Sequence, residues 1–152
     1  MVLGFRLCSN DYLPLDSTGS KLAGGRWNSK KVPVVYLSES IALAVLEVTV
    51  NATDLPDDYK LTEVSIDDTL IESLIIATLP PTWREGAPFP TTRKIGDQWC
   101  SEKRSAVLRV PSSVVPQEFN LIVNTEHPDF AKITSRDLGL FEFDSRLRPK
   151  KN

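Results

Sequence analysis

Four side chains in this sequence combine a reactive type with a setting that could use it. Glu47 interrupts the apolar run Ile41-Ala42-Leu43-Ala44-Val45-Leu46-Glu47-Val48-Thr49-Val50. If the run is helical, its neighbours three and four positions away are Leu43, Ala44, Val50 and Asn51, so the carboxylate projects from a mostly apolar stripe. A carboxylate withdrawn from water needs donors or takes up a proton. The pattern therefore suits either a structural partner for an arginine or an acid held ready for a reaction. Arg26 follows Gly24-Gly25, where an anion could approach the backbone, and its guanidinium is a rigid donor fork matched to phosphate oxygens. A solvated arginine in a surface turn fits the same residues. Tyr36 stands just before the Glu47 run and offers a flat face and a hydroxyl, or simply strand-end packing. Ser112, with Ser113, follows Val110-Pro111 and suits a phosphate contact or a turn cap.

These positions need elements to carry them. Val2 to Leu7 alternates as a half-buried strand, and the polar stretch from Ser9 to Gly25 reads as a long loop leading into Gly24-Gly25-Arg26-Trp27-Asn28. Val32 to Leu37 is a β-branched run that reads as a buried strand. Ser38 or Ser40 can cap the helix that follows, and its apolar residues on nearly every side predict a largely buried cylinder. Lys60 to Ile66, Ala106 to Val110, Asn120 to Asn124 and Phe141 to Asp144 read as further strands. Leu70 to Leu79 reads as a short helix, and Thr91 to Cys100 as a longer one with Ile95 and Trp99 one turn apart. Between them, Pro80, Pro81, Gly86, Pro88 and Pro90 mark an irregular stretch to which no chemistry is assigned. This mixed order predicts an α+β fold in a single domain over 1–152, with a mixed, mainly antiparallel sheet and a frayed tail over 146–152.

Composition narrows the function. A net charge of -2 and a pI near 5.4 lack the basic balance of phosphate-backbone binders, so no direct nucleic-acid binding is expected. Membrane association is not expected either, since no apolar run approaches the roughly 18 to 20 residues that span a bilayer, and the N-terminus lacks a signal-peptide pattern; the cytoplasm is the expected compartment. Cys8, Cys100 and the lone His127 are too few for a disulfide framework or a zinc site, and the cysteines read as small half-buried side chains in a reducing compartment. A serine or cysteine hydrolase is disfavoured because no G-x-S-x-G elbow exists and His127 has no evident pairing with Ser112 or Cys100.

Taken together, these residues resemble the RES-domain family, toxin components encoded beside helix-turn-helix antitoxins of the Xre type. The resemblance runs through Gly24-Gly25-Arg26-Trp27-Asn28, Pro33-Val34-Val35-Tyr36, Leu43-Ala44-Val45-Leu46-Glu47-Val48, and Arg104-Ser105-Ala106-Val107-Leu108 with Val110-Pro111-Ser112. It continues through Asn120 and His127-Pro128 to Phe143-Asp144-Ser145-Arg146-Leu147. The family's arginine, glutamate and serine fall on Arg26, Glu47 and Ser112, and its tyrosine on Tyr36. The resemblance implies a fold similar to that of ADP-ribosyltransferase toxins. It also implies an enzyme that consumes NAD+ as substrate, by hydrolysis, phosphorolysis or ADP-ribosyl transfer, with no bound cofactor or metal. In that role Glu47 would stabilise an oxocarbenium-like transition state. Arg26 and Ser112 would hold pyrophosphate or ribose, and Tyr36 would stack on nicotinamide. Arg6, Trp27 and Asn28 would line the same cleft, while His127 needs no catalytic role. The implied partner is an Xre-type antitoxin, with a homodimer as one arrangement inside the complex. A nucleotide-binding module without turnover is the competing reading. Two positions depart from the family's usual pattern: Lys31 replaces a common glycine, which bears on turn geometry, and Asn51 a common histidine, which bears on rate or acceptor choice.

Overall fold

Alternating and β-branched segments produce most of the strands. The computed structural model describes residues 1–147. It contains β1 (Val2–Ser9), α1 (Thr18–Ala23), β2 (Val34–Ser38), α2 (Ile41–Asn51), β3 (Tyr59–Ile66), β4 (Ile71–Ser73), α3 (Pro90–Ser101), β5 (Val107–Pro111), β6 (Phe119–Asn124) and β7 (Thr134–Leu140). The strands form one sheet in the order β4-β5-β6-β2-β1-β3-β7, antiparallel except for the β4–β5 pair. This is the expected α+β architecture with a mixed, mainly antiparallel sheet.

The central strands are apolar on both sides because both faces are covered. On one face Val35, Leu37, Val107, Leu121 and Val123 meet Val64 and Ile66. On the other, Val34, Leu108, Val110 and Ile122 pack with Trp27 and with Trp99 and Cys100 of α3. A third cluster joins Leu7, Ala44, Leu61 and Phe143. One seam in the sheet is incomplete. β1 and β2 register only at Phe5↔Ser38, whereas β2 and β6 pair from Val34↔Asn124 to Ser38↔Asn120. The strands part beyond that single pair, and α2 packs on both of them. The gap so formed is where the site lies.

Several sequence expectations are corrected. The Ser9 to Gly25 stretch is not all loop: it holds α1, with Asp16 accepting hydrogen bonds from the amide and hydroxyl of Thr18 at 2.8 and 2.6 Å. A six-residue helix is too short to show periodicity. α2 is capped by Ser40, whose hydroxyl accepts from the Leu43 amide at 3.0 Å. The helix is not largely buried, since only Leu43 and Ala44 are. Its other apolar residues are exposed or only partly buried, with Val45 and Val48 packed against the third cluster and Val50 58% exposed. Leu70 to Leu79 is not a helix but β4 followed by a 3-10 turn at Ile76–Thr78, because pairing with β5 captures Ile71 to Ser73. Phe141 to Asp144 is not a strand: the Phe141 and Phe143 rings pack edge to face, 4.9 Å apart. The last strand is β7, exposed along its whole length, so it shows no alternation that pattern reading could detect.

Cys8 and Cys100 are free and buried rather than half-buried. Of the expected frayed tail over 146–152, Arg146 and Leu147 lie in a 3-10 turn where Arg146 pairs with Asp144 at 2.9 Å, and 148–152 lie outside the described residues. Among the described residues, no helix is long and apolar enough to cross a membrane.

Candidate active site

Glu47 reaches the gap from α2 and is held by two donors. Ser112, directly after β5 and fully buried, donates its hydroxyl to Glu47 Oε1 at 2.8 Å. The same hydroxyl accepts from the Val114 and Val115 amides, each at 3.1 Å. With its one donor and two acceptor positions filled, Ser112 has nothing left for a phosphate or ribose. In this arrangement its hydroxyl is engaged by Glu47 and by its own turn, and Ser112 is not among the residues lining the cavity. Asn120 of β6 donates Nδ2 to the same Oε1 at 2.7 Å, and its Oδ1 accepts from Ser38 at 2.8 Å. Glu47 Oε2 makes no hydrogen bond to the described residues and is not among their buried unpartnered atoms, and Glu47 lines the cavity.

Arg26 is presented by a loop that α3 clamps. Thr92 donates to the Arg26 carbonyl at 2.6 Å, Arg93 Nε to the Gly25 carbonyl at 2.9 Å, and Asp97 accepts from the Ser29 amide and hydroxyl at 2.8 and 2.5 Å. These side chains, with Gly96, form one helical face. Gly96 lets that face touch the loop, since a Cβ there would lie 1.7 Å from the Trp27 carbonyl oxygen. Gly25 is demanded by a second close approach, 2.7 Å from a built Cβ to the Tyr36 hydroxyl. The Arg26 guanidinium donates from Nη1 to the carbonyls of Trp83 and Glu85 at 2.9 and 2.8 Å and lies 4.5 Å from the Phe89 ring centre. Burial draws its pKa below the usual guanidinium value, opposed in part by the Glu47 carboxylate.

Tyr36 turns its hydroxyl inward. The phenol donates to Asn28 Oδ1 at 2.5 Å and accepts from the Trp27 amide at 3.1 Å, and burial raises its pKa, so it remains neutral. A face of the residue is left to line the cavity. Asn28 is fully buried, its Nδ2 donating to the Ser20 and Ser29 carbonyls at 3.0 and 3.1 Å. Asn28 holds the Tyr36 hydroxyl and, contrary to expectation, is not among the residues lining the cavity, because it is fully buried behind Tyr36's hydrogen bond. Trp27 is core, at 3% exposure, and also borders the cavity. Arg6 lines it too, but donates to the Pro14 and Asp16 carbonyls at 2.6 and 3.2 Å. His127 is structural, accepting from the Asp129 amide at Nδ1 and facing the Lys103 carbonyl through Nε2, both at 3.0 Å.

The parts converge on one cavity of about 880 Å³ between β1 and β2, lined by Arg26, Tyr36, Glu47, Ser113 and Asn120 among others. That volume lies in the range of small-molecule and cofactor sites. Asn51 also lines it, anchored by donation to the Glu47 carbonyl at 2.8 Å. Sequence reading gave no role to two contributors. Asn120 carried a faint signal, a place in the family resemblance and an amide opening the apolar run Leu121-Ile122-Val123 on the face of Tyr36 and Ser38. The proline-rich stretch, to which no chemistry was assigned, gave no signal because its role lies in backbone carbonyls.

A family model described as the RES domain matches residues 5–144. The "Prs ADP-ribosylating toxin" of Sphingobium sp. is 38% identical over 138 residues, covering 88% of this chain and 86% of that protein. "Toxin Res" of Photorhabdus laumondii subsp. laumondii is 40% identical over 148 residues, covering 94% and 95%. The fold is shared with a chain of the crystal structure of the M. tuberculosis MbcT-MbcA toxin-antitoxin complex, at a TM-score of 0.72, 19% identity and coverage of 90% and 84%. With the matched residues spanning the whole site, from Arg26 to Asn120, this chain belongs to the RES-domain family.

Proposed function

We propose that this protein is the toxin of a bacterial toxin-antitoxin pair and cleaves the nicotinamide-ribose bond of NAD+, with water or phosphate as acceptor. The observation that carries the reading is Glu47. One of its oxygens is held by Ser112 and Asn120, the other makes no hydrogen bond to the described residues, and Glu47 lines a cavity shared with a held cation, Arg26.

When the N-glycosidic bond breaks, both its electrons leave with neutral nicotinamide, and positive charge develops on the ribose carbon and ring oxygen. A carboxylate whose orientation is set beforehand stabilises that charge without reorganising. Arg26 holds the pyrophosphate through the donors not used on Trp83 and Glu85, and Tyr36 lays its ring against nicotinamide. Arg6 and Trp27 form wall, not chemistry. The acceptor then adds to the ribose carbon and gives up its proton. NAD+ enters as substrate, and the reading requires no bound cofactor.

The test is release of nicotinamide from NAD+ by the purified protein, with products weighed by mass spectrometry in the presence and absence of phosphate. ADP-ribose or its phosphorylated form is the expected product, and release no faster than by Glu47→Ala defeats the proposal. Transfer of ADP-ribose to a protein is the second reading, favoured by the name of the Sphingobium relative, and adds one ADP-ribose mass to the acceptor protein. The proposed partner is an Xre-type helix-turn-helix antitoxin in the cytoplasm, with the toxin as a homodimer within the complex. The relatives' names and the shared fold support an antitoxin. Co-purification with the product of an adjacent helix-turn-helix gene tests it, and harmless expression without that gene argues against a toxin.

A further inference from the structure

The proline-rich segment between Pro80 and Pro90 touches both walls of the site. On one wall, the carbonyls of Trp83 and Glu85 accept from Arg26, and the Phe89 ring lies against its guanidinium. Trp83 is itself anchored, packing 6.4 Å from Trp27 between ring centres. The residue between the two carbonyls is Arg84. Its Nε and Nη2 both donate to the Ser113 carbonyl, at 3.1 and 2.9 Å, on the opposite wall. Ser113 lines the cavity and adjoins Ser112, the residue that orients Glu47.

We infer that Arg84 is a positioning residue for Arg26, latching the Pro80–Pro90 strap to the Ser112-Ser113 turn so that cation and acid keep a set separation across the cavity. Its bonds explain why an exposed arginine would matter. A guanidinium forked on a surface carbonyl adds little to global stability. Here, however, it links the two walls in one chain of contacts: Arg26 to the strap carbonyls, strap to Ser113, Ser113 to Ser112, and Ser112 to Glu47. Without the latch the strap that orients Arg26 is held on the Arg26 wall alone. The like charge of Arg84 also acts on Arg26, which places the two guanidiniums within each other's field.

The effect on turnover rests on the proposed cleavage of NAD+, while the latch itself is tested without it. In Arg84→Ala, hydrogen exchange of the strap amides should rise with the melting temperature unchanged. KM for NAD+ should rise about fivefold with kcat within about twofold, the pattern of a lost binding orientation. In an Arg26→Lys background the same change should raise KM less than about twofold, because two residues acting through one contact do not multiply. Unchanged strap exchange, or losses that multiply in the double variant, overturns the inference. If the wild-type protein releases no nicotinamide, the proposed function fails, and strap exchange alone still decides whether Arg84 is the latch.

Discussion

The two walls of the cavity are built by opposite means. Glu47 stands on a regular helix and is aimed by side chains, Ser112 and Asn120, placed at the ends of neighbouring strands. Arg26 stands on an irregular loop and is aimed by backbone, the strap carbonyls in front of it and the close face of α3 behind. The acid wall is therefore sensitive to chemistry that leaves the fold intact. The cation wall is sensitive to packing.

The most severe test of this contrast is Glu47→Gln, which keeps shape and removes charge. Nicotinamide release should fall by about 100-fold or more, as when a preorganised electrostatic partner is deleted, with the melting temperature near that of the wild type. On the opposite wall, Gly96→Ala should lower stability by about 3 kcal/mol in a denaturant titration, since its methyl group would overlap the Trp27 carbonyl. An unchanged midpoint there would mean that α3 does not hold the Arg26 loop. Asn120→Ala removes one of two donors on Oε1 and should lower kcat about tenfold, with KM little changed. A larger effect on KM than on kcat would move Asn120 from aiming the acid to contacting NAD+.

The smallest expected effect concerns Lys31, which has a φ of 76°. Left-handed backbone disfavours any residue with a Cβ, which gives a physical reason for the family's glycine at this place. Lys31→Gly should raise stability by roughly 0.5 to 1 kcal/mol, the strain relieved less the entropy that glycine adds to the unfolded chain. Calorimetry showing a loss would mean that the Lys31 side chain makes a compensating contact.

Legibility from sequence followed periodicity and burial. β1, β2, β3, β5, β6, α2 and α3 were readable because one or both of their faces enter a core. β7 was not, being exposed along its length, and β4 is three residues whose strand character comes from pairing with β5. In the site, Glu47 stood out as a charge in an apolar run. Asn120 did not, because an amide at the start of a strand reads equally well as a boundary.

The sequence by itself determined the family, the α+β class and the residue types that meet in the cavity. Tertiary structure decided what each of them does. Ser112 serves Glu47 from 65 positions away and Asn120 from 73, while Trp83 and Glu85 meet Arg26 from 57 and 59. Such partnerships are set by the order of strands in the sheet and by the gap between β1 and β2. Local propensity acts over a few residues and carries no information about which distant donor fills which lone pair.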